Sequence, residues 1–191
     1  MKKTKLFSMV IISLLLAFTV AGCGGGSSGG SSSGSQSSGS KETVFEFYNK
    51  VQLDQTKAQV DAELGVTPQK STQMENIYVY VNEDTGFGVS VMYNENGLAT
   101  SKTLFYPTAE ELAFLTTKAV TQEQADKIAD GASYEEVKTA LGGDGIETSA
   151  TQIPFDDNKV STIRIWVNKD GSMIQAVFGT DGTTNNVMFF D

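Results

Sequence analysis

The chain has 191 residues, with 14 basic against 23 acidic side chains and a net charge of −9. That balance disfavours a nucleic-acid role, because phosphate binding needs a basic face. With no His and a single Cys, His-based triads, Cys/His zinc sites and disulfides within the chain are excluded.

Lys2, Lys3 and Lys5 form a positive start, and Leu6 to Val20 is an apolar run. At about 15 residues the run is shorter than the roughly 20 that a membrane-spanning helix needs, so residues 1–22 read as an export signal. The next four positions, Val20-Ala21-Gly22-Cys23, resemble the lipobox of bacterial lipoproteins, in which small residues precede the Cys that becomes the first mature residue. The resemblance implies that the Cys23 thiol carries a diacylglyceryl group and that its new amino terminus is acylated, for example by palmitate. Two or more acyl chains anchor stably where one is marginal. An ordinary cleaved signal beside a chance Cys is the alternative. Beyond Cys23 the chain keeps 11 basic side chains (14 minus the three leader lysines) against 23 acidic ones, a net −12.

Gly24 to Ser40 contains only Gly, Ser and Gln36, a composition that buries no apolar surface. Residues 23–40 therefore read as a lipidated Cys and a flexible tether, with an r.m.s. span of about 23 Å and a reach of roughly 60 Å. The expected location is extracytoplasmic, on the cell membrane, and the long tether fits a Gram-positive envelope better than a Gram-negative one.

From Lys41 the pattern is globular. Val44, Phe47, Tyr48 and Val51 share one helical face, and Thr43 with Glu46 has capping-box spacing, which predicts a helix over 43–52. Thr56 with Gln59, then Val60 and Leu64, then Gly65 predict a second helix with both ends specified locally. Ile77 to Val81, Phe87 to Tyr93 and Ser101 to Tyr106 read as strands, separated by turns at 82–86 and at Asn94 to Gly97.

The pattern then restarts. Pro107, Thr108 and Glu111 predict a connecting helix through about Lys118, and Thr121 with Gln124 another through Ala129. Ser133 with Glu136, Val137, Leu141 and Gly142 specify the clearest helix of the chain. An edge strand is expected over Glu147 to Ile153, followed by strands near Ser161 to Val167, Met173 to Gly179 and Asn186 to Phe190, with Asp170-Gly171 and Asp181-Gly182 supplying turns. Leu64 and Leu141 lie 77 apart (141 minus 64), as do Val60 and Val137, and Gly65 and Gly142. The shared order of helix, helix and three strands predicts a tandem repeat over 41–107 and 108–191, in the α+β class.

The run from Ile128 to Gly142, with its small polar break at Asp130-Gly131 before SYEEVKTALGG, resembles the helix-turn-helix opening of the β-lactamase inhibitory protein-like superfamily. That superfamily includes tandem-repeat inhibitory proteins and small outer-membrane assembly lipoproteins. The resemblance implies two helices followed by an antiparallel sheet in each repeat, the sheets joined into one curved surface that grips a protein partner. The first copy departs from it, having Leu53-Asp54 in place of the Asp-Gly break.

If Ile77, Val79, Val81, Ile163, Ile165 and Val167 pack on the helices, the opposite face carries Tyr78, Tyr80, Arg164 and Trp166, with Ser90, Met92 and Gln175 on neighbouring strands. Trp, Tyr, Arg and Met are enriched in interfaces, so these residues are the expected partner surface. The alternative is that the aromatics cover a solvated sheet or pack between the two units. A slip of one residue exchanges the two sets. Asp84, in the Glu83-Asp84 turn, is a further candidate to present a carboxylate to a partner. The pairs Glu110-Glu111 and Glu135-Glu136 fit helix first turns and Asp156-Asp157 a polar loop, so they read as solvated structural acids. No P-loop, EF-hand, G-x-S-x-G or S-x-x-K pattern is present. The expectation is a non-enzymatic, cofactor-free protein-binding module that touches the bilayer through Cys23. Inhibition of a secreted or envelope hydrolase and a structural envelope-assembly role are the alternatives.

Overall fold

The computed structural model describes residues 40–72 and 74–191. The expected signal peptide, Cys23 and the tether up to residue 39 lie outside the described residues.

Helices α2 (Lys57–Leu64) and α4 (Tyr134–Leu141) form as their sequences dictate. Each starts at a complete capping box, Thr56 with Gln59 and Ser133 with Glu136, which satisfies free donors at the helix start. Each ends on a left-handed glycine, Gly65 at φ 66° and Gly142 at φ 78°, a conformation that a Cβ would strain. Val60 and Leu64 are buried on α2, and Val137 and Leu141 on α4. Helix α1 (Lys41–Lys50) starts earlier than the Thr43 spacing implies. Ser40 is its cap and accepts from the Thr43 backbone N–H, while Glu46 pairs with Lys50 at 2.9 Å. Helix α3 (Gln122–Asp126) has the expected Thr121–Gln124 capping box but ends well before Ala129. After Pro107 the chain forms only a 3-10 helix, Ala109–Leu115, whose Thr108 makes no side-chain cap bond.

The strands are β1 (Gln69–Lys70), β2 (Ile77–Val81), β3 (Gly88–Tyr93), β4 (Ala99–Phe105), β5 (Ile146–Ile153), β6 (Lys159–Val167), β7 (Met173–Phe178) and β8 (Thr184–Phe190). They form one eight-stranded antiparallel sheet in sequence order. With five helices among the described residues, counting the 3-10 helix, the fold is α+β. Two-residue β1 was not expected. The anticipated edge strand is β5, and it lies inside the sheet, paired with β4 through Ser101↔Thr151, Lys102↔Ala150 and Thr103↔Ser149 and with β6 on its other side. The edges are β1 and β8.

Several local geometries recur. An isolated bridge joins Thr56 to Leu98 and another joins Ser133 to Thr183, offsets of 77 (133 minus 56) and 85 (183 minus 98). Ala99 exchanges backbone bonds with Asp54 and Gln55, and Thr184 does the same with Gly131 and Ala132. Asp54, at φ 68°, holds the left-handed position that Gly131 occupies at φ 83°. The β3–β4 register shifts at Met92/Tyr93 and the β7–β8 register at Val177/Phe178. The pair Lys70↔Tyr78 between β1 and β2 matches Glu147↔Arg164 between β5 and β6.

Register and strand alternation sort the side chains onto two faces. Tyr78, Tyr80, Val89, Val91, Lys102 and Leu104 point to the side that carries α1 and α2: Tyr80 reaches Asp61 of α2, and Lys102 donates to the carbonyls of Tyr48 and Val51. The row through Val91 and Lys102 continues across Ala150, Thr162 and Phe178, and on this side Trp166, Ile174, Ala176 and Phe178 cluster with Val137 and Leu141 of α4. Both helix pairs therefore lie on the same face. This corrects the expected assignment: Tyr78, Tyr80, Arg164 and Trp166 face the helices, and Ile77, Val79, Val81 and Ile163 face the other way. In IYVYV every position is apolar or aromatic, so alternation alone does not say which set is inside, and a one-residue slip reverses the answer. Ile165 and Val167 are buried nonetheless, in a cluster that includes Leu112 of the 3-10 helix.

Candidate partner-binding surface

The four strand residues expected at a partner surface form two matched anchors on the helix face. Tyr80 is 0% exposed, and its hydroxyl donates to Asp61 at 2.8 Å and meets the Tyr93 hydroxyl at 3.1 Å. At the equivalent place Trp166 is 1% exposed and donates from Nε1 to the Gly143 carbonyl at 2.9 Å. An added Cβ at neighbouring Gly145 would lie 2.6 Å from the Trp166 ring, so the close approach of that backbone requires glycine. Tyr78 and Arg164 are half-buried. The Lys57 ammonium lies 4.7 Å from the Tyr78 ring centroid, and the Arg164 guanidinium 4.5 Å from that of Tyr134.

A polar network ties the two helix pairs together through β5. Glu147 accepts from Tyr48 of α1 at 3.0 Å and from Arg164 at 2.8 Å, while Tyr134 of α4 donates to Asp144 at 2.9 Å. Burial pushes the Tyr48 hydroxyl well above the ordinary tyrosine range, with the Glu147 charge adding to the effect. Burial also raises Tyr80 and Tyr93 and lowers the Lys102 ammonium. Lys138 and Tyr134, hydrogen-bonded to Asp144, hold that carboxyl below the usual carboxylate range. These groups are mutually satisfied, and no buried side-chain polar atom among the described residues lacks a partner.

The opposite face has no helix pair on it; the 3-10 helix packs at its Ile165 and Val167 end, and the remainder has a different chemistry. Its centre is a patch of hydroxyls: Ser101 and Thr151 meet at 2.7 Å and Thr103 and Ser149 at 3.1 Å, across the β4–β5 pairing. Register puts Ser90 and Met92 beside this patch on β3 and Ser161 and Ile163 on β6, while Gln175 on β7 and Met188 on β8 lie further along the same face in the row of Ile165. Of the expected surface residues, Ser90, Met92 and Gln175 lie on this open face. Asp84 is exposed in the β2–β3 turn, where its N–H donates to Asn82 Oδ1 at 3.0 Å. The hydroxyl rows were not anticipated, because β5 was expected at an edge. The signal was present as hydroxyls at alternate positions in Ser101-Lys102-Thr103 and Ser149-Ala150-Thr151.

One acid in each of two other pairs has a structural partner. Glu136 caps α4, and Asp156 is bonded to Lys159 at 3.0 Å and to Thr180. No group of three or more Asp, Glu, Cys or His among the described residues is arranged to hold a metal ion.

The family model described as Beta-lactamase inhibitor (BLIP) matches residues 43–164, from α1 across both helix pairs and into β6. The chain belongs to this family. A solved structure, the DUF4309 family protein YjgB from Bacillus subtilis subsp. subtilis str. 168, is similar at 19% identity over 70% of this chain and 76% of that chain, with a TM-score of 0.30. No curated protein matches the chain.

Proposed function

We propose that this chain is a non-enzymatic protein-binding module, two tandem units over 41–107 and 108–191, held on the outer side of a cell membrane by acylated Cys23 and its tether. Binding occurs on the open sheet face. The observation that carries the reading is the division of labour between the two faces in a chain of the β-lactamase inhibitor family. One face is consumed by helix packing and buried anchors, and the other presents the Ser101–Thr151 and Thr103–Ser149 hydroxyl pairs flanked by Ser90, Met92, Ser161 and Ile163. Support for the two units comes from the matched caps, bridges and register shifts of the two halves.

An arginine at exposed Thr103 introduces a bulky charge into the centre of this face, and Ala140→Arg does the same on exposed α4. Thr103→Arg is expected to abolish partner binding and Ala140→Arg to leave it intact; equal binding by the two variants contradicts the reading. The anchor is tested by Cys23→Ala, which is expected to move the protein out of the membrane fraction. Retention there contradicts lipidation.

A second reading, favoured by the name of the family, is inhibition of a hydrolase by this same face. It predicts inhibition of at least one serine β-lactamase or cell-wall hydrolase on titration, and loss of that inhibition in Thr103→Arg. Full activity of every enzyme in such a panel removes it, and leaves an assembly role for the binding face.

A further inference from the structure

The edge of the sheet at β8 can be compared with a strand edge inside the same molecule. Strand β4 matches β8 position by position at an offset of 85 (184 minus 99): the register shift, the bridge and the backbone exchange at Ala99 or Thr184 all recur. In β4 the outer edge is taken first by the Asp54–Gln55 segment, through Ala99, and then by β5, which pairs with Ser101, Lys102 and Thr103. In β8 the outer edge is taken first by Gly131–Ala132, through Thr184. The matching next residues, Asn186, Val187 and Met188, pair with β7 on one side and with no strand among the described residues on the other. Helix α1 packs across β3 and β4 while β5 occupies the β4 edge; α3 packs on β8.

We infer that the outer edge of β8 over Asn186–Phe190 is a strand-addition site, and that its occupant is β8 of a second copy of this chain, running antiparallel about a two-fold axis. An edge strand offers a row of unpaired backbone donors and acceptors, and natural sheets blunt such edges with charge, Pro or short length. The other edge is blunted: β1 has two residues and includes Lys70. Strand β8 has seven residues, from Thr184 to Phe190, with no charge and no Pro. The chain beyond Cys23, at a net −12, repels its own copies, so a contact between copies is least opposed at a segment without acids. Thr184 to Phe190 is such a segment. Head-to-tail pairing of β8 with β1 would repeat the β4–β5 junction, but β5 has eight residues where β1 has two, and such pairing does not close. Self-pairing of β8 is isologous and closes after two copies. The inference uses only strand register and composition, and holds whether or not the open face binds a partner.

The test is oxidative crosslinking of the full chain in its native membranes, with single substitutions Val187→Cys, Met188→Cys and Phe190→Cys on β8 and Gln69→Cys on β1. The unsubstituted chain, whose one Cys is Cys23, sets the background. The expected result is a band of twice the chain mass from at least one β8 variant and from no β1 variant. Introducing Asn186→Lys with Met188→Lys into the Val187→Cys or Phe190→Cys chain, which sets like charges against each other across the axis, is expected to reduce that band at least tenfold while native-state circular dichroism is unchanged. The inference is overturned if every β8 variant stays monomeric, if Gln69→Cys crosslinks to Met188→Cys of another copy, or if the β8 adduct has the mass of a different protein.

Discussion

The guanidinium of Arg164 lies 4.5 Å from the ring centroid of Tyr134, and the pair is a mirror of one in the other half of the molecule. There Lys57 of α2 lies 4.7 Å from the ring of Tyr78 on β2. In the first half the helix supplies the cation and the strand the ring; in the second half the strand supplies the cation and the helix the ring. Two different residue pairs thus perform one packing task, fastening the sheet to the second helix of each half.

If the pair is what matters, exchanging its members is tolerated better than removing either one. The double variant Lys57→Tyr with Tyr78→Arg, which writes the second-half arrangement into the first, is expected to be more stable in urea than either single variant. The expected coupling is about 1 kcal/mol, in the range of a partly desolvated cation–ring contact. Additive losses would show that the two contacts are independent of their partners.

Trp166 fills the second-half core, with its one donor satisfied by Gly143. Trp166→Ala is expected to cost about 3–5 kcal/mol, the range for removing a buried large aromatic. Urea denaturation measures it, and a loss within the scatter of surface substitutions would contradict the helix-face assignment. The same measurement on Met92→Ala, on the open face, is expected to give a smaller loss.

Alkali is expected to unfold the domain cooperatively. Tyr48, Tyr80, Tyr93, Tyr106 and Tyr134 are all held above the ordinary tyrosine range, with burial the largest cause in each. The folded state therefore keeps protons that the unfolded chain gives up around pH 10. The stability these groups contribute is fully present below that value and is lost as pH rises above it. Tyrosinate absorbance should appear together with loss of circular dichroism. Gradual ionisation of these five in a chain that stays folded would contradict the burial.

The helices were legible because their instructions are local: capping boxes at Thr56 and Ser133 and terminal glycines lie within a few residues of what they specify. The turns at Asn94 to Gly97 and at Asp181-Gly182 were legible for the same reason. The place of β5 was not, because its pairing with β4 joins residues as distant as Ser101 and Thr151 across the whole second helix pair. The sheet faces were misjudged through β2, where IYVYV is apolar or aromatic at every position and only contact with Asp61 fixes which side Tyr80 takes. Interface-like composition pointed to Tyr80 and Trp166, but large aromatics serve cores as well as surfaces. Once those two were assigned to the core, the hydroxyl rows of β4 and β5 became the face to test.

The central claim is that a protein partner meets the open face, and site-specific photo-crosslinking in the native cells tests it most directly. A photo-crosslinking residue is placed at Thr103 in one strain and at Ala140, on the outside of α4, in another; both positions are exposed. The account predicts a discrete adduct with another protein from position 103 and none from position 140. Adducts from position 140 alone, or none from position 103, would contradict it.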